Sequence, residues 1–345
     1  MPRIAARNPK SDPTTQAVRV FSSETQNNTQ EQQEFWEQVT QSTLLTSNKL
    51  HLAYCYIKHP TITRAIVISS GRVESYLKYK ELMFDLYQQG YSVYMIDHRG
   101  QGLSSRLTMN PQQGHIDKFS TYIDDFTLFI NRVVLPQEHE EHFLLGHSMG
   151  STIGTLYMQQ NPNIFNAAAF SAPMYGIKLP ISRRFIRWLA ERIDSCRIKS
   201  EPNYILGGKD YEATPFAKNH LTHSKKRYRS LLQLYQEYPQ IQLGAPTNHW
   251  LIEAIDAAEE ALLAAQTPPA PLLILQAGRD TIVDNRAQNK AAGILSKIHT
   301  ISQHQQCQLT SIPDAKHEIF IEKDKPRSLA LNSILDFFEL HALST

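Results

Sequence analysis

Residues 142–151 read H-F-L-L-G-H-S-M-G-S and hold Ser148 between Gly146 and Gly150. A serine hydroxyl is a weak nucleophile at neutral pH. It attacks an acyl carbon when a base within hydrogen-bond reach takes its proton and a carboxylate orients that base. Both partners stand downstream, in the order serine, acid, histidine. The stretch L-L-I-L-Q-A-G-R-D-T-I-V-D-N at 272–285 places Asp280 just past an expected strand, and C-Q-L-T-S-I-P-D-A-K-H at 307–317 places His317 just past the last one. His317 is the candidate base, since no other late histidine occupies a loop after a strand so well. Asp280 is preferred as the acid because it comes sooner after its strand. Asp284 is the alternative and Asp314 a more remote one; the loser of Asp280 and Asp284 is expected to cap the helix that starts near Asn285.

A tetrahedral intermediate also needs two backbone N–H groups aimed at its oxyanion. One is expected from Met149, directly after the serine. The other is expected from Arg72, in the loop S-S-G-R-V-E-S at 69–75, where the backbone alone is required.

These residues must be carried by a scaffold, and the apolar runs describe one. A-I-V-I at 65–68, V-Y-M-I at 93–96, F-L-L at 143–145, A-A-A-F at 167–170, L-L-I-L at 272–275 and C-Q-L-T-S-I at 307–312 read as strands. Between them lie helical patterns at 76–90, 122–134, after Ser148, near 286–298 and around 327–342. Alternation of this kind predicts an α/β fold, a mainly parallel sheet with helices on both faces. A strand, a sharp turn and a helix around Ser148 would lift the hydroxyl above the sheet edge, with glycines where strand and helix nearly touch.

The interval 176–268 interrupts the rhythm with mostly helical patterns and is expected to be an inserted cap. The expected organisation is a polar, loosely held arm at 1–33, a first core part at 34–175, the cap, and a second core part at 269–345. The cap is basic: residues 176–229 hold 13 Lys+Arg against 5 Asp+Glu, in a chain whose net charge is +2. In L-P-I-S-R-R-F-I-R-W-L-A-E-R-I, Phe185, Trp188, Leu189 and Ile193 can share a helical face while Arg183, Arg184, Arg187 and Arg192 hold others. That is the pattern of a helix lying on an anionic lipid surface. Lys225, Lys226 and Arg227 form a second basic run able to meet phosphate.

Composition bounds the rest. The 345 residues are 41% hydrophobic and 20% charged, as in packed globular proteins. Cys55, Cys196 and Cys307 are widely spaced and odd in number, which predicts neither a disulfide framework nor a zinc site. The H-E-E-H at 139–142 lacks the spacing of a zinc motif, and R-G-Q-G-L-S at 99–104 is not a dinucleotide fingerprint, so no metal and no organic cofactor is expected. No basic stripe with stacking aromatics points to nucleic acid, and no obligate protein partner is inferred. The N-terminus has no apolar run of signal-peptide length and no apolar stretch reaches ~18 residues, so a cytoplasmic location is expected, with peripheral contact to the inner membrane's cytoplasmic face.

The motifs together resemble the α/β-hydrolase superfamily from about residue 50 to the C-terminus. D-H-R-G-Q-G-L-S at 97–104 and G-H-S-M-G at 146–150 are similar to the group containing monoacylglycerol lipases and related esterases. S-G-R-V-E-S-Y-L-K-Y at 70–79, S-A-P-M-Y-G-I at 171–177, T-H-S-K-K-R-Y-R at 222–229 and P-T-N-H-W at 246–250 resemble the bacterial PldB-type lysophospholipases. The resemblance implies Ser148 as nucleophile, His317 as base, Asp280 as acid, and hydrolysis of the single acyl ester of a lysophospholipid, with acyl transfer as a side activity. A monoacylglycerol lipase or general carboxylesterase is the alternative, and a non-catalytic binding relative a second one. Where monoacylglycerol lipases carry His-Gly in the first oxyanion loop, this chain has Ser70-Gly71-Arg72.

Overall fold

The computed structural model describes residues 19–26, 29–195, 201–293 and 307–343. In chain order the first elements are helix α1 (Gln30–Gln38), strands β1 (Thr40–Leu45), β2 (His51–Ile57) and β3 (Arg64–Ser69), helix α2 (Lys80–Gln88) and strand β4 (Ser92–Ile96). Helix α3 (Ser120–Phe129), strand β5 (Glu141–His147), helix α4 (Met149–Gln160) and strand β6 (Ala167–Ser171) complete the first half. Helices α5 (Arg183–Ser195), α6 (Lys225–Glu237) and α7 (Asn248–Ala264) fill the interval before strand β7 (Leu272–Ala277). Helix α8 (Asn285–Ala291), strand β8 (Cys307–Ile312) and helix α9 (Asp324–Leu340) follow.

The strands form one sheet in the order β1-β2-β4-β3-β5-β6-β7-β8. From β4 to β8 every pairing is parallel, whereas β1 and β2 join antiparallel at one edge. Parallel strands covered on both faces require continuous apolar runs. Strands β4, β6 and β7 are buried at every position, as their sequences demand. Strand β1, T-Q-S-T-L-L, is exposed along nearly its whole length, as an edge strand can be. Among the described residues no helix is long and apolar enough to cross a membrane.

Within the polar segment 1–33, the described residues are pinned rather than loosely held. Arg19 pairs with Asp336 at 2.5 Å, the Ser22 hydroxyl donates to Asp85 at 2.7 Å, and the Glu24 N–H donates to Asp324 at 2.7 Å. Thr29 and Gln32 form a reciprocal cap that opens α1, and Phe35 on that helix packs edge-on against Phe84 of α2. Residues 1–18 and 27–28 lie outside the described residues, as do Cys196 and 294–306, which include the end of the helix expected near 286–298.

Candidate active site

Ser148 occupies the single residue between β5, at the centre of the sheet, and α4. Its backbone has φ 51° and ψ −117°, in the left-handed half of the map that side chains enter at a cost of about 1–3 kcal/mol. The surroundings hold it there: its N–H donates to the Ser171 carbonyl at 3.0 Å, and its own carbonyl accepts from Ser151 at 3.1 Å and Met174 at 3.2 Å. Gly150 is required by close approach, since a Cβ there would lie 2.1 Å from the Ser69 carbonyl oxygen. The first turn of α4 therefore abuts the loop after β3, and the backbones of Met149 and Arg72 belong to adjoining segments.

His317 lies beyond β8 and Asp280 beyond β7. The Ser148 hydroxyl and His317 Nε2 are 2.9 Å apart, and His317 Nδ1 lies 2.7 Å from Asp280 Oδ2. A carboxylate accepts only, so Nδ1 carries the proton and Nε2 is left to accept from Ser148. The other Asp280 oxygen accepts from the N–H groups of Ile282 at 2.7 Å and Val283 at 3.1 Å. Burial alone would raise the Asp280 pKa, but the His317 ring and these two N–H groups outweigh it and hold the carboxyl below its ordinary value. Asp284 faces elsewhere: its side chain accepts from the Arg286 N–H at 3.0 Å and caps α8. Asp314 is exposed, 3.6 Å from Arg279.

A buried charged cluster sits directly behind His317. His147, the residue before the serine, places Nδ1 3.0 Å from Glu74 and Nε2 3.2 Å from the His317 carbonyl, with the two imidazole rings 4.9 Å apart. Lys78 bridges Glu74 and Glu318, and Glu74 also accepts from the Gly71 N–H and from the Tyr79 hydroxyl at 2.5 Å. Glu74, His147 and Glu318 bring potential ligand atoms within 4.8 Å of one another, but the Lys78 ammonium already supplies a cation to both carboxylates. The cluster thus ties the loop of Gly71 to the backbone of His317. None of these four residues belongs to a catalytic motif of its own in the sequence. Their signal was position, since His147 lies inside G-H-S-M-G, Glu318 follows His317, and Glu74 and Lys78 stand in the quoted segment 70–79.

Among the described basic residues of the interval 176–268, Arg227 stands apart from those of α5. Arg227 is 2% exposed and is spent internally, on Glu81 at 2.6 Å and Asp324 at 2.9 Å. It is therefore not available to a lipid, in contrast to the expectation from its basic run; its neighbours Lys225 and Lys226 are exposed. On α5, Arg187 pairs with Asp256 at 2.7 Å and with Glu191, and Arg183 pairs with Glu259. These acids offset much of the helix's charge. Phe185 and Trp188 stand 49% and 48% exposed with ring centres 5.6 Å apart, beside the exposed Arg184. The interval also touches the site loops: Lys178 donates to the Asp280 carbonyl at 2.8 Å, and the Leu221 carbonyl accepts from Glu318 at 2.9 Å.

The family described as "Hydrolase_4: Serine aminopeptidase, S33" matches residues 60–324. The chain belongs to this α/β-hydrolase family. Among curated members, this hydrolase is 37% identical over 314 residues to lysophospholipase L2 of Escherichia coli (strain K12), covering 89% of the present chain and 90% of that one. It is 33% identical to a probable lysophospholipase L2 of Haemophilus influenzae, covering 89% and 95% of the two chains. In fold, the hydrolase superposes on a soluble variant of the Saccharomyces cerevisiae monoglyceride lipase with a TM-score of 0.65 at 17% identity, covering 88% and 97%.

Proposed function

We propose that this α/β-hydrolase is a lysophospholipase that cleaves the one acyl ester of its substrate through an acyl-enzyme on Ser148. The observation that carries the chemistry is the continuous hydrogen-bonded chain from Ser148 through His317 to Asp280. His317 takes the serine proton as the hydroxyl attacks the ester carbonyl, and the backbone N–H groups of Arg72 and Met149 receive the oxyanion. The imidazolium, its charge balanced by Asp280, protonates the departing glycerophospho-alcohol. Water then attacks the acyl-serine with His317 again as base, and fatty acid leaves. The substrate class is carried by the likeness to lysophospholipase L2 over most of both chains.

Residues 176–268 act as the cap over this site, a reading supported by their contacts to Asp280 and Glu318. The exposed Phe185 and Trp188 are the apolar tip that meets the lipid surface, with Arg184, Lys225 and Lys226 as its cationic fringe. The protein is peripheral and works from the cytoplasmic side, where the buried thiols of Cys55 and Cys307 stay reduced.

A fluorophosphonate probe followed by peptide mass analysis tests the chemistry. Labelling is expected on Ser148 alone, and Ser148→Ala is expected to lose hydrolysis by several orders of magnitude while keeping its thermal midpoint. A folded Ser148→Ala protein that still turns over lysophospholipid would refute the reading.

A further inference from the structure

Arg72 differs from the fully buried arginines, which are ion-paired, and from the half-buried Arg106, whose guanidinium donates to the Gly100 and Gln240 carbonyls and leaves no sealed nitrogen without a partner. Arg99, Arg227 and Arg327 are buried, and each faces a carboxylate: Asp125, Glu81 and Asp85 respectively. Arg72 has no carboxylate within ion-pair range among the described residues. Its Nη2 donates to the Gly244 carbonyl at 2.5 Å and its Cζ lies 5.2 Å from the Trp250 ring centre, while its Nε is sealed from solvent without a partner. The titratable groups that face it, Tyr122, Tyr204 and Tyr235, are neutral at physiological pH. Burial lowers the Arg72 pKa to about 10, so the group remains a cation.

The pocket around this cation is shaped to keep it. A Cβ on Gly114 would lie 2.5 Å from Nη2 and 3.1 Å from both Cζ and Nε, so the guanidinium fills space that only a glycine leaves open. A desolvated charge with an unused donor costs stability, and the Trp250 face returns part of that cost. The residue is nonetheless partly open to solvent, so a ligand can reach it.

We propose that the Arg72 guanidinium is the subsite for the phosphate of the substrate headgroup. The inference rests on the lysophospholipid reading above and gives it a physical cause. The Arg72 N–H is assigned to the oxyanion, so its guanidinium lies one side chain away from the reacting carbonyl. In a lysophospholipid the short glycerol chain separates ester from phosphate. An arginine with unused N–H donors suits a phosphate diester. A monoacylglycerol carries no anion to complete the site, and the cation would then stay unpaired.

The test compares wild type, Arg72→Met, Arg72→Lys and Gly114→Ala, each normalised by fluorophosphonate titration of Ser148 so that only folded sites count. Two quantities are read: the ratio of kcat/KM for lysophosphatidylethanolamine to that for monoacylglycerol, and competitive inhibition of p-nitrophenyl butyrate hydrolysis by glycerol 3-phosphate. In Arg72→Met both the ratio and the inhibitor affinity are expected to fall by about tenfold or more. Arg72→Lys should lose less, and Gly114→Ala, whose methyl displaces the guanidinium, should lose in the same direction. If wild type prefers the lysophospholipid and Arg72→Met keeps both preference and inhibition, the subsite is overturned while the lysophospholipase reading stands. If wild type shows no such preference but glycerol 3-phosphate inhibits through Arg72, the subsite stands and the substrate reading fails.

Discussion

Asp280 takes hydrogen bonds from the His317 ring and from two backbone N–H groups, which fixes both its charge and its direction. Asp280→Asn should therefore lower kcat by about 10³–10⁴-fold, because the amide no longer imposes the tautomer that lets Nε2 accept. Asp284→Ala removes a helix cap instead, and a loss of about 1 kcal/mol in urea unfolding with kcat retained is expected. The reverse pattern would make Asp284 the acid. His147 is tied to a pH dependence. Both of its nitrogens face acceptors, the Glu74 carboxylate and the His317 carbonyl, which only the doubly protonated ring satisfies. Burial opposes that charge, but Glu74 and Glu318 outweigh it and raise the pKa above 6.5. A raised folded-state pKa gives stability that is complete below the ordinary value and is lost as pH rises through the folded one. The thermal midpoint of wild type minus that of His147→Gln should accordingly be largest in mild acid and shrink toward alkaline pH; a difference that grows with pH would contradict the imidazolium.

Strand β5, the turn at Ser148 and helix α4 work as one element because α4 starts against the loop after β3. Gly150→Ala would drive a Cβ into backbone that cannot swing aside, so destabilisation by ~2 kcal/mol or more and loss of activity are expected, measured by denaturant unfolding and ester hydrolysis. The interior parallel strands were legible from sequence because burial on both faces writes them as unbroken apolar runs such as A-I-V-I and L-L-I-L. Ser148, His317 and the candidate acids were legible for a related reason: each stands in a turn or loop that follows a strand. Strands β1 and β2 were not, since β1 is an exposed edge whose T-Q-S-T carries no periodic signal. Helix α1 escaped because Q-E-Q-Q-E reads as polar linker, and its fold depends on the Thr29 cap and on Phe35 reaching α2. The choice between Asp280 and Asp284, four residues apart, needed the direction each side chain takes off its turn. Arg227 misled because a basic run looks solvated until a distant Glu81 and Asp324 close on it.

For the molecule as a whole, the interval between β6 and β7, proposed above as the cap, also presents an outer surface. The acids around α5 cancel much of its positive charge, so apolar insertion by Phe185 and Trp188 should carry more of the proposed membrane contact than electrostatics. In co-sedimentation with vesicles of phosphatidylethanolamine and phosphatidylglycerol, the double substitution Phe185→Ser, Trp188→Ser should reduce the bound fraction more than Arg183→Ser, Arg187→Ser does. Equal binding by wild type and the aromatic variant would remove α5 from the interface. The substrate class is the central claim, and fatty-acid release under matched conditions from lysophosphatidylethanolamine, lysophosphatidylcholine, monoacylglycerol and intact diacyl phospholipid tests it most directly. A lysophospholipase with this site should hydrolyse the lysophospholipids in preference to monoacylglycerol and leave the diacyl lipid largely intact, with Ser148→Ala inactive on all four. Equal or faster turnover of monoacylglycerol would contradict that claim and make the protein a monoacylglycerol lipase or general esterase built on the same Ser148–His317–Asp280 chain.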